Sequence, residues 1–493
     1  MIERYQDEAI AEIWSDSHKL NLWQQTELAV VRARANLGRV PDEVNKEFAR
    51  ILATNPIDLG WWLQRDQEIR HDLNAFLEER SRFLPPRLQV HLHEKMTSYD
   101  TEEPAFAKML RESSVLVKSH YNELEVILQD MASRYRYTIM NGRTHGQEAE
   151  LQTFGKRCLT WLRDIRASAD NLQRSEDGLR YSKLSGAIGN YGSMDPVIEK
   201  EALGILGFEP YYGATQIIPR ELYAPIAQAL CQLVLTLDKI ATAIRLGARS
   251  GRPIYQEPFG KKQKGSSAMP NKKNTISTEQ VEGMARMARA YLMMIMENIK
   301  TWEERAIEQS CVERVAWPDL FCVVVHSLRT MGRVLKGLVV YPDNMLLEII
   351  ECRGCYASGE AKEVIKELGL PLSLTAEEAY RIVQLAAFNA FEPDKEAKSV
   401  RTSIPSHLTE ADELLSGFRL VPRPTPVSIQ EIIAEARLKT STQLEATKGD
   451  VQRWNRILEQ IFQEQGNRDR WNRIFLPSFL LRNEAKLYCE ILD

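Results

Sequence analysis

The sequence predicts an all-α protein built on a central bundle of long helices. Three observations carry that expectation. Apolar residues recur at steps of three or four over stretches far longer than a strand of ~3–10 residues. Alternation with a period of two is almost absent. Some stretches are apolar nearly all round, as in Tyr291-Leu-Met-Met-Ile-Met296, and a helix of that kind must be covered on several sides. The core is therefore expected to continue into neighbouring copies of the chain.

In chain order, the first long helix covers roughly Ala105 to Met131. The second carries Leu159, Leu162, Ile165, Ala169 and Leu172 on one face. The third runs from Arg220 to Arg249 through Ile226, Leu230, Leu233, Leu237, Ile240 and Ile244. Pro225 sits in its first turn, where a missing N–H is tolerated. The fourth begins near Ile276 and passes through Val281, Met284, Ala288, Tyr291, Ile295, Ile299 and Trp302. The fifth runs through Leu320, Val324, Leu328, Met331, Leu335 and Leu338. Between the third and fourth lies a stretch of 18 residues, Glu257 to Asn274, with two Gly and two Pro. Loops this long inside compact domains are uncommon and often functional.

Shorter helices and loops are expected after Tyr341-Pro342, and the three prolines between Arg419 and Pro426 read as a linker. From about Ser428 the tail is helical and charged. It holds an internal echo, Arg453-Trp-Asn-Arg-Ile457 and Arg470-Trp-Asn-Arg-Ile474. Two readings fit the echo: aromatic and basic groups that stack on nucleotides, or helix faces with a buried Trp and solvated Arg.

Composition narrows the function. At ~150 residues per domain, 493 residues give a soft expectation of about three domains. The 64 Lys and Arg nearly cancel the 68 Asp and Glu, leaving a net charge of −4. Binders of nucleic acid or of anionic membranes lean on an excess of positive charge, so neither is expected as a partner. The first residues, MIERYQDEAIAEIW, do not read as a signal peptide, and no run of 18 apolar residues occurs. Seven cysteines, sparse and odd in number, fit reduced thiols in a cytoplasm. Cys352-Arg-Gly-Cys355 lacks a second pair at zinc spacing, and there is no HExxH, EF-hand or dinucleotide Gly fingerprint, so neither metal nor cofactor is expected.

Four polar clusters flank the helices: Arg70-His71-Asp72; His93 to Asp100, with Thr97 and Ser98; Asn141-Gly-Arg-Thr144-His145-Gly146; and Gly265-Ser266-Ser267-Ala-Met269-Pro-Asn-Lys272-Lys-Asn274. In the last, backbone N–H groups behind a Gly, with Lys272 and Asn274 close by, can hold an anion or an enolate-like oxygen. It is neither a nucleophile elbow nor a P-loop.

That loop resembles the signature of the fumarase/aspartase superfamily, Gly-Ser-Ser-x-Met-Pro-x-Lys-x-Asn. Asn141 to Gly146 with Gln152-Thr-Phe-Gly155 is similar to the superfamily's second region, and His93 to Asp100 to its first. Within it the resemblance is strongest to the adenylosuccinate lyases. Met1 to Tyr5, Arg70 to Phe76, Leu184-Ser-Gly-Ala-Ile-Gly189, Ala214-Thr-Gln216 with Arg220, and Trp302-Glu-Glu-Arg305 with Ser310 and Glu313-Arg314 carry it. It spans about residues 1–415 and leaves the tail out.

The resemblance implies a three-domain subunit: an N-terminal helical domain at 1–107, the long-helix bundle at 108–341, and a C-terminal helical domain at 342–493 with an added tail from about 420. It implies a homotetramer whose active sites are shared between subunits. It also implies release of fumarate from a small-molecule nucleotide substrate by β-elimination across a C–N bond. In that chemistry Ser266 is the base and His145 the acid, while His71 orients His145 or binds phosphate. Thr97, Ser98, Lys272 and Asn274 hold the succinyl carboxylates. Arg4, Tyr5, Arg305, Ser310 and Arg314 hold the phosphate and ribose. Arg70, Asp72, His93, Thr144, Gln216, Ser267 and Met269 complete the substrate's surroundings.

Several positions depart from the family pattern: Tyr99 for Ser or Thr, Leu151 for Pro, Asn271 for His, Thr275 for Pro, and Ala306-Ile-Glu-Gln309 for Asp-Ile-Ser-His. The alternatives are a superfamily lyase acting on another succinyl-amine, such as argininosuccinate, and a catalytically inactive homologue.

Overall fold

The computed structural model describes residues 1–391 and 427–492, so the linker expected at 419–426 lies outside the described residues. The chain forms two compact units. The first takes residues 1–128, 161–250 and 255–339, and the second 129–160, 251–254 and 340–493.

In the first unit, helices Ala224–Gly247, Ile276–Glu297 and Ile307–Lys336 pack on one another. The expected apolar stripes face inward where the helices run: Leu230, Leu237 and Ile244 of the first, Val281 and Ala288 of the second, and Leu320, Val324 and Leu328 of the third are buried, but the second helix ends at Glu297, so the expected Ile299 and Trp302 fall outside it and Trp302 is exposed. Each such leucine, isoleucine or valine contributes about 1.5–3 kcal/mol through burial. The 37-residue helix Ser98–Arg134 meets these elements through Phe106, whose ring lies edge-on to Tyr223 and Trp317. The third packed helix starts at Ile307, thirteen residues before the apolar run at Leu320, and passes through Pro318. Its first turns bury Gln309, Ser310 and Glu313 instead of apolar groups, so the hydrophobic period is broken where the helix is nonetheless regular. On Ile276–Glu297, Met293 and Met294 stay 62% and 47% exposed in the single chain.

One buried cluster of charge ties this unit together. The Arg220 guanidinium donates to both carboxylate oxygens of Glu103 at 3.0 Å, and to Glu313 at 2.7 and 3.0 Å. Tyr223 adds its hydroxyl to Glu103 at 3.1 Å. Two carboxylates share one guanidinium, and burial pushes the Glu313 carboxyl up against the pull of Arg220.

The second unit departs from pure helix. Strand β1, Ile139–Thr144, pairs antiparallel with β2, Gln147–Thr153, with a register shift between Asn141 and Arg143. Only His145 and Gly146 join the strands, with φ of +52° and +76°. Two-residue hairpin loops require such left-handed residues. The strands escaped the sequence reading because they alternate poorly: β2 begins Gln-Glu-Ala-Glu and β1 carries a bulge. Helices Pro342–Glu351, Ser358–Gly369 and Ala376–Phe391 follow.

The tail helices Ile429–Ala434, Lys448–Ile461 and Gln465–Arg473 close a common core with those of 358–391. Both tryptophans of the echo are buried there. Trp454 donates its indole N–H to Glu378 at 3.2 Å and Trp471 to the Gln430 carbonyl at 3.1 Å. Arg453 and Arg470 pair at the surface with Glu378 and Glu367. Of the two readings of the echo, the helix-face one describes it.

Removing one member of a buried ion cluster strands the others, at about 3–5 kcal/mol. Arg220→Met is therefore expected to lower the urea midpoint sharply. Adding Glu103→Gln and Glu313→Gln to that variant should recover part of the loss.

Candidate active site

The polar loop is held by its two ends. Glu257, buried at its start, accepts the backbone N–H groups of Ser277 and Thr278 at 3.1 Å each, capping the Ile276–Glu297 helix at the loop's far end. Asn274 donates to the Gly265 carbonyl at 2.7 Å. A β-carbon at Gly265 would lie 1.8 Å from the Lys272 carbonyl oxygen, so only glycine permits this closure. Within the closed loop Ser266 Oγ accepts the N–H groups of Ala268 at 3.2 Å and Met269 at 3.1 Å. Short polar side chains make such bonds in many turns. Here both donors face the oxygen that the sequence singles out, and they favour its anionic form. Ser267, Met269 and Lys272 are exposed along the loop.

A second group of residues gathers at the N-terminus of the Ser98–Arg134 helix. Thr97 donates its N–H to Asp100 at 2.9 Å, as at a helix cap. Thr97 and Ser98 thus sit where free N–H groups and the helix dipole favour a carboxylate. Asp100 is itself fixed by Lys183 at 2.7 Å, both fully buried. Lys183 also donates to the carbonyls of Gly186 and Gln216, each at 3.0 Å. Three separated segments of the sequence are joined at this one ammonium. The Gln216 side chain then accepts from Arg305 at 3.2 Å, and the Arg305 guanidinium lies 4.2 Å from the centre of the Tyr99 ring. The buried Nε–H of Arg305 has no partner among the described residues.

Arg314 is engaged by Asp72 at 2.6 Å. Glu102 shares that neighbourhood, and burial followed by the Asp72 carboxylate pushes it up to about 7, against the pull of Arg314, Arg305 and Lys19. His71 caps the Asp72–Ser81 helix: its Nδ1 accepts the Asn74 N–H at 3.3 Å. A neutral ring in that role carries its proton on Nε2, leaving a donor for a ligand. His93 is turned to Glu27, with its Nδ1 2.9 Å from that carboxylate. Burial pulls the His93 ring down, and Glu27 outweighs it, so the ring titrates above its ordinary value.

The other expected residues have the following surroundings. Ser310 is buried and donates to the Ile307 carbonyl at 3.0 Å. Tyr5 packs edge-on to His326 with ring centres 5.3 Å apart, and Arg4 is exposed. Arg70 ends the Leu59–Ile69 helix in a left-handed conformation, φ +55°, and is exposed. Thr144 and His145 are exposed at the hairpin tip of the second unit.

The residues that sequence reasoning missed are Glu27, Glu102 and Lys183. Each is a charged group whose meaning lies in a distant partner, which no local spacing shows.

This constellation has relatives. A family model described as "Lyase" matches residues 3–289. The adenylosuccinate lyase of Synechocystis sp. is 36% identical over 395 residues, covering 80% of this chain and 90% of that protein. The chain belongs to the adenylosuccinate lyase family of the fumarase/aspartase superfamily. The enzymes of Aquifex aeolicus and Bacillus subtilis that bear the same name are 33% and 32% identical, with 94% of each covered. Two solved structures share the fold at low identity. A fumarate lyase from Mesorhizobium sp. BNC1 gives a TM-score of 0.70 at 20% identity, covering 96% of this chain and 98% of its own. A β-carboxy-cis,cis-muconate cycloisomerase from Acinetobacter calcoaceticus sp. ADP1 gives 0.73 at 17%, covering 99% and 98%. These adenylosuccinate lyases cover 80–84% of this chain.

The charge around Glu102 has a consequence for stability. An unfolded glutamate releases its proton near 4.5, but the folded protein holds it until about 7. Between those values the folded state binds more protons, so stability falls as pH rises through that window. Glu102→Gln should raise the melting temperature at pH 8 relative to the unsubstituted protein and change it little at pH 5. A gain of equal size at both would show that this carboxyl stays ionised.

Proposed function

We propose that the protein cleaves the C–N bond of adenylosuccinate, and of the succinylated aminoimidazole carboxamide ribotide, releasing fumarate. The observation that carries this reading is Ser266 Oγ with its two backbone N–H donors, in a chain of this family. The proton to be removed lies on the carbon β to the leaving nitrogen, beside a carboxylate, and is weakly acidic. A serine hydroxyl is too weak a base unless its alkoxide is stabilised; the N–H groups of Ala268 and Met269, with the Lys272 ammonium, supply that. Ser266 takes the proton, and the electron pair is held as a dianionic aci-carboxylate. Thr97 and Ser98 at the helix N-terminus, with Lys272 and Asn274, bind the succinyl carboxylates. The pair then forms the fumarate double bond as the C–N bond breaks, and His145 gives its proton to the departing nitrogen.

Arg305, with a buried donor that has no partner among the described residues, and Arg314 are the phosphate-side groups, with Arg4, Tyr5 and Ser310 beside them. Asp72 holds Arg314 until substrate replaces it. Arg70, His93, Thr144, Gln216, Ser267 and Met269 line the remaining substrate surface, and the Nε2–H of His71 faces the phosphate or His145.

A homotetramer with shared sites completes the reading. Met293 and Met294 on the Ile276–Glu297 helix, with Leu246 and Val315 on its neighbours, leave apolar side chains exposed in one chain. Copies of the chain cover them, and Ser266 and His145 of one site then come from different chains.

Ser266→Ala and His145→Ala should each lower turnover by about 10²–10⁴-fold with the tetramer intact. Mixing the two inactive proteins under conditions of subunit exchange should restore part of the activity. Normal turnover in either variant removes that residue from the mechanism. Confirmed exchange without recovery places both residues of a site in one chain.

A further inference from the structure

The tail reaches the hairpin that carries His145. An isolated two-stranded hairpin is marginally stable in water at best. This one has a bulge in β1 and an exposed tip, so its position depends on what holds it. On the β1 side Arg143 pairs with Glu348 of the Pro342–Glu351 helix at 3.1 Å. At the base of β2 the holding groups come from the last helix, Glu484–Leu492. Glu484 accepts both the Thr153 hydroxyl and, at 3.3 Å, the Thr153 N–H. Tyr488, buried, brings its hydroxyl 3.1 Å from the same Thr153 hydroxyl. A β-carbon on Gly155 would lie 2.3 Å from the Tyr488 hydroxyl and 2.6 Å from the Ala132 carbonyl. The tyrosine therefore enters a space left open by glycine. The Arg136 guanidinium covers the outer face of the ring, 4.6 Å from its centre.

We propose that Glu484 and Tyr488 are positioning residues for His145, and that the C-terminal helix braces the catalytic hairpin from its base. The proposal rests on the reading of His145 as the acid. Thr153 ends β2 and His145 precedes it by eight residues, so at ~3.4 Å per residue the brace acts from about 27 Å away. Its means is the rigidity of the paired strands. A proton donor displaced by about 1 Å can cost about 10²-fold in rate. The brace therefore acts mainly on kcat: of the substrate-lining residues proposed above only Thr144 rides on the hairpin, so substrate affinity changes little.

The test uses the full-length protein, with helical content and oligomeric state checked first by circular dichroism and gel filtration. In Glu484→Ala, amide hydrogen exchange across 139–153 should rise at least tenfold. With adenylosuccinate as substrate, kcat should fall about 10–100-fold with KM little changed. Glu484→Gln keeps an acceptor oxygen for Thr153 and should restore most of the rate. Tyr488→Phe keeps the packed ring, loses one hydrogen bond and should give a smaller loss in the same direction. In a His145→Ala background supplied with imidazole, Glu484→Ala should make no further difference, because a free imidazole does not depend on the hairpin. Unchanged exchange in Glu484→Ala and Tyr488→Phe overturns the brace. So does faster exchange with kcat unchanged, or a loss that appears in KM alone. Full activity of His145→Ala overturns the assignment of the acid itself and the brace with it.

Discussion

The arrangement of the first unit's polar residues depends on the burial of one ammonium. Lys183 is fully buried, and an isolated charge in an apolar interior costs far more than a fold can spare. All three of its donors are therefore used: Asp100 at 2.7 Å and the carbonyls of Gly186 and Gln216 at 3.0 Å. Each of these bonds fixes something further. Asp100 caps the helix that begins at Ser98, which sets Thr97 and Ser98 over free N–H groups. Gly186 anchors the 184–189 segment, and Gln216 positions the Arg305 guanidinium over Tyr99. One ion pair thus fixes the start of the Ser98–Arg134 helix and the Arg305 guanidinium, the places proposed above for a succinyl carboxylate and a phosphate.

The Arg220 cluster does the equivalent work between other elements. A guanidinium shared by Glu103 and Glu313 joins the Ser98–Arg134 helix, the segment before Ala224 and the Ile307–Lys336 helix. Buried ion clusters add little net stability over apolar packing of the same volume. They do penalise every arrangement in which a partner is missing. In a bundle of smooth apolar stripes, able to slide past one another by a turn, that penalty selects one register. Asp100 of one cluster, Glu103 of the other, and Glu102, which shares its surroundings with Asp72, are neighbours at the start of the Ser98–Arg134 helix, so register and site geometry are set together.

The long helices were legible because their apolar residues keep a period of three to four over twenty residues or more. Where the site intrudes, that signal fails. The Ile307–Lys336 helix was read only from Leu320, since Gln309, Ser310 and Glu313 replace the apolar positions of its first turns. The β1–β2 hairpin was illegible for a related reason. Its sequence is polar and bulged, and its two-residue turn uses His145 at positive φ, where Asn or Asp would have announced it. The polar loop was legible as a functional segment, and the structure adds the reason for its closure: Glu257 caps the next helix and Gly265 admits the Lys272 carbonyl. Lys183, Glu27 and Glu102 carried no local signal, because a charge is informative only beside its partner. The echoed Arg-Trp-Asn-Arg-Ile motif was ambiguous until Trp454 and Trp471 were seen in one core.

The central claim is that these groups serve elimination of fumarate from a succinylated purine nucleotide. The measurement that tests it most directly follows fumarate release when the protein is offered adenylosuccinate, argininosuccinate and aspartate in parallel. The account predicts rapid release from adenylosuccinate and none above background from the other two. Release from argininosuccinate or aspartate in preference to adenylosuccinate would contradict it, as would the absence of fumarate from all three.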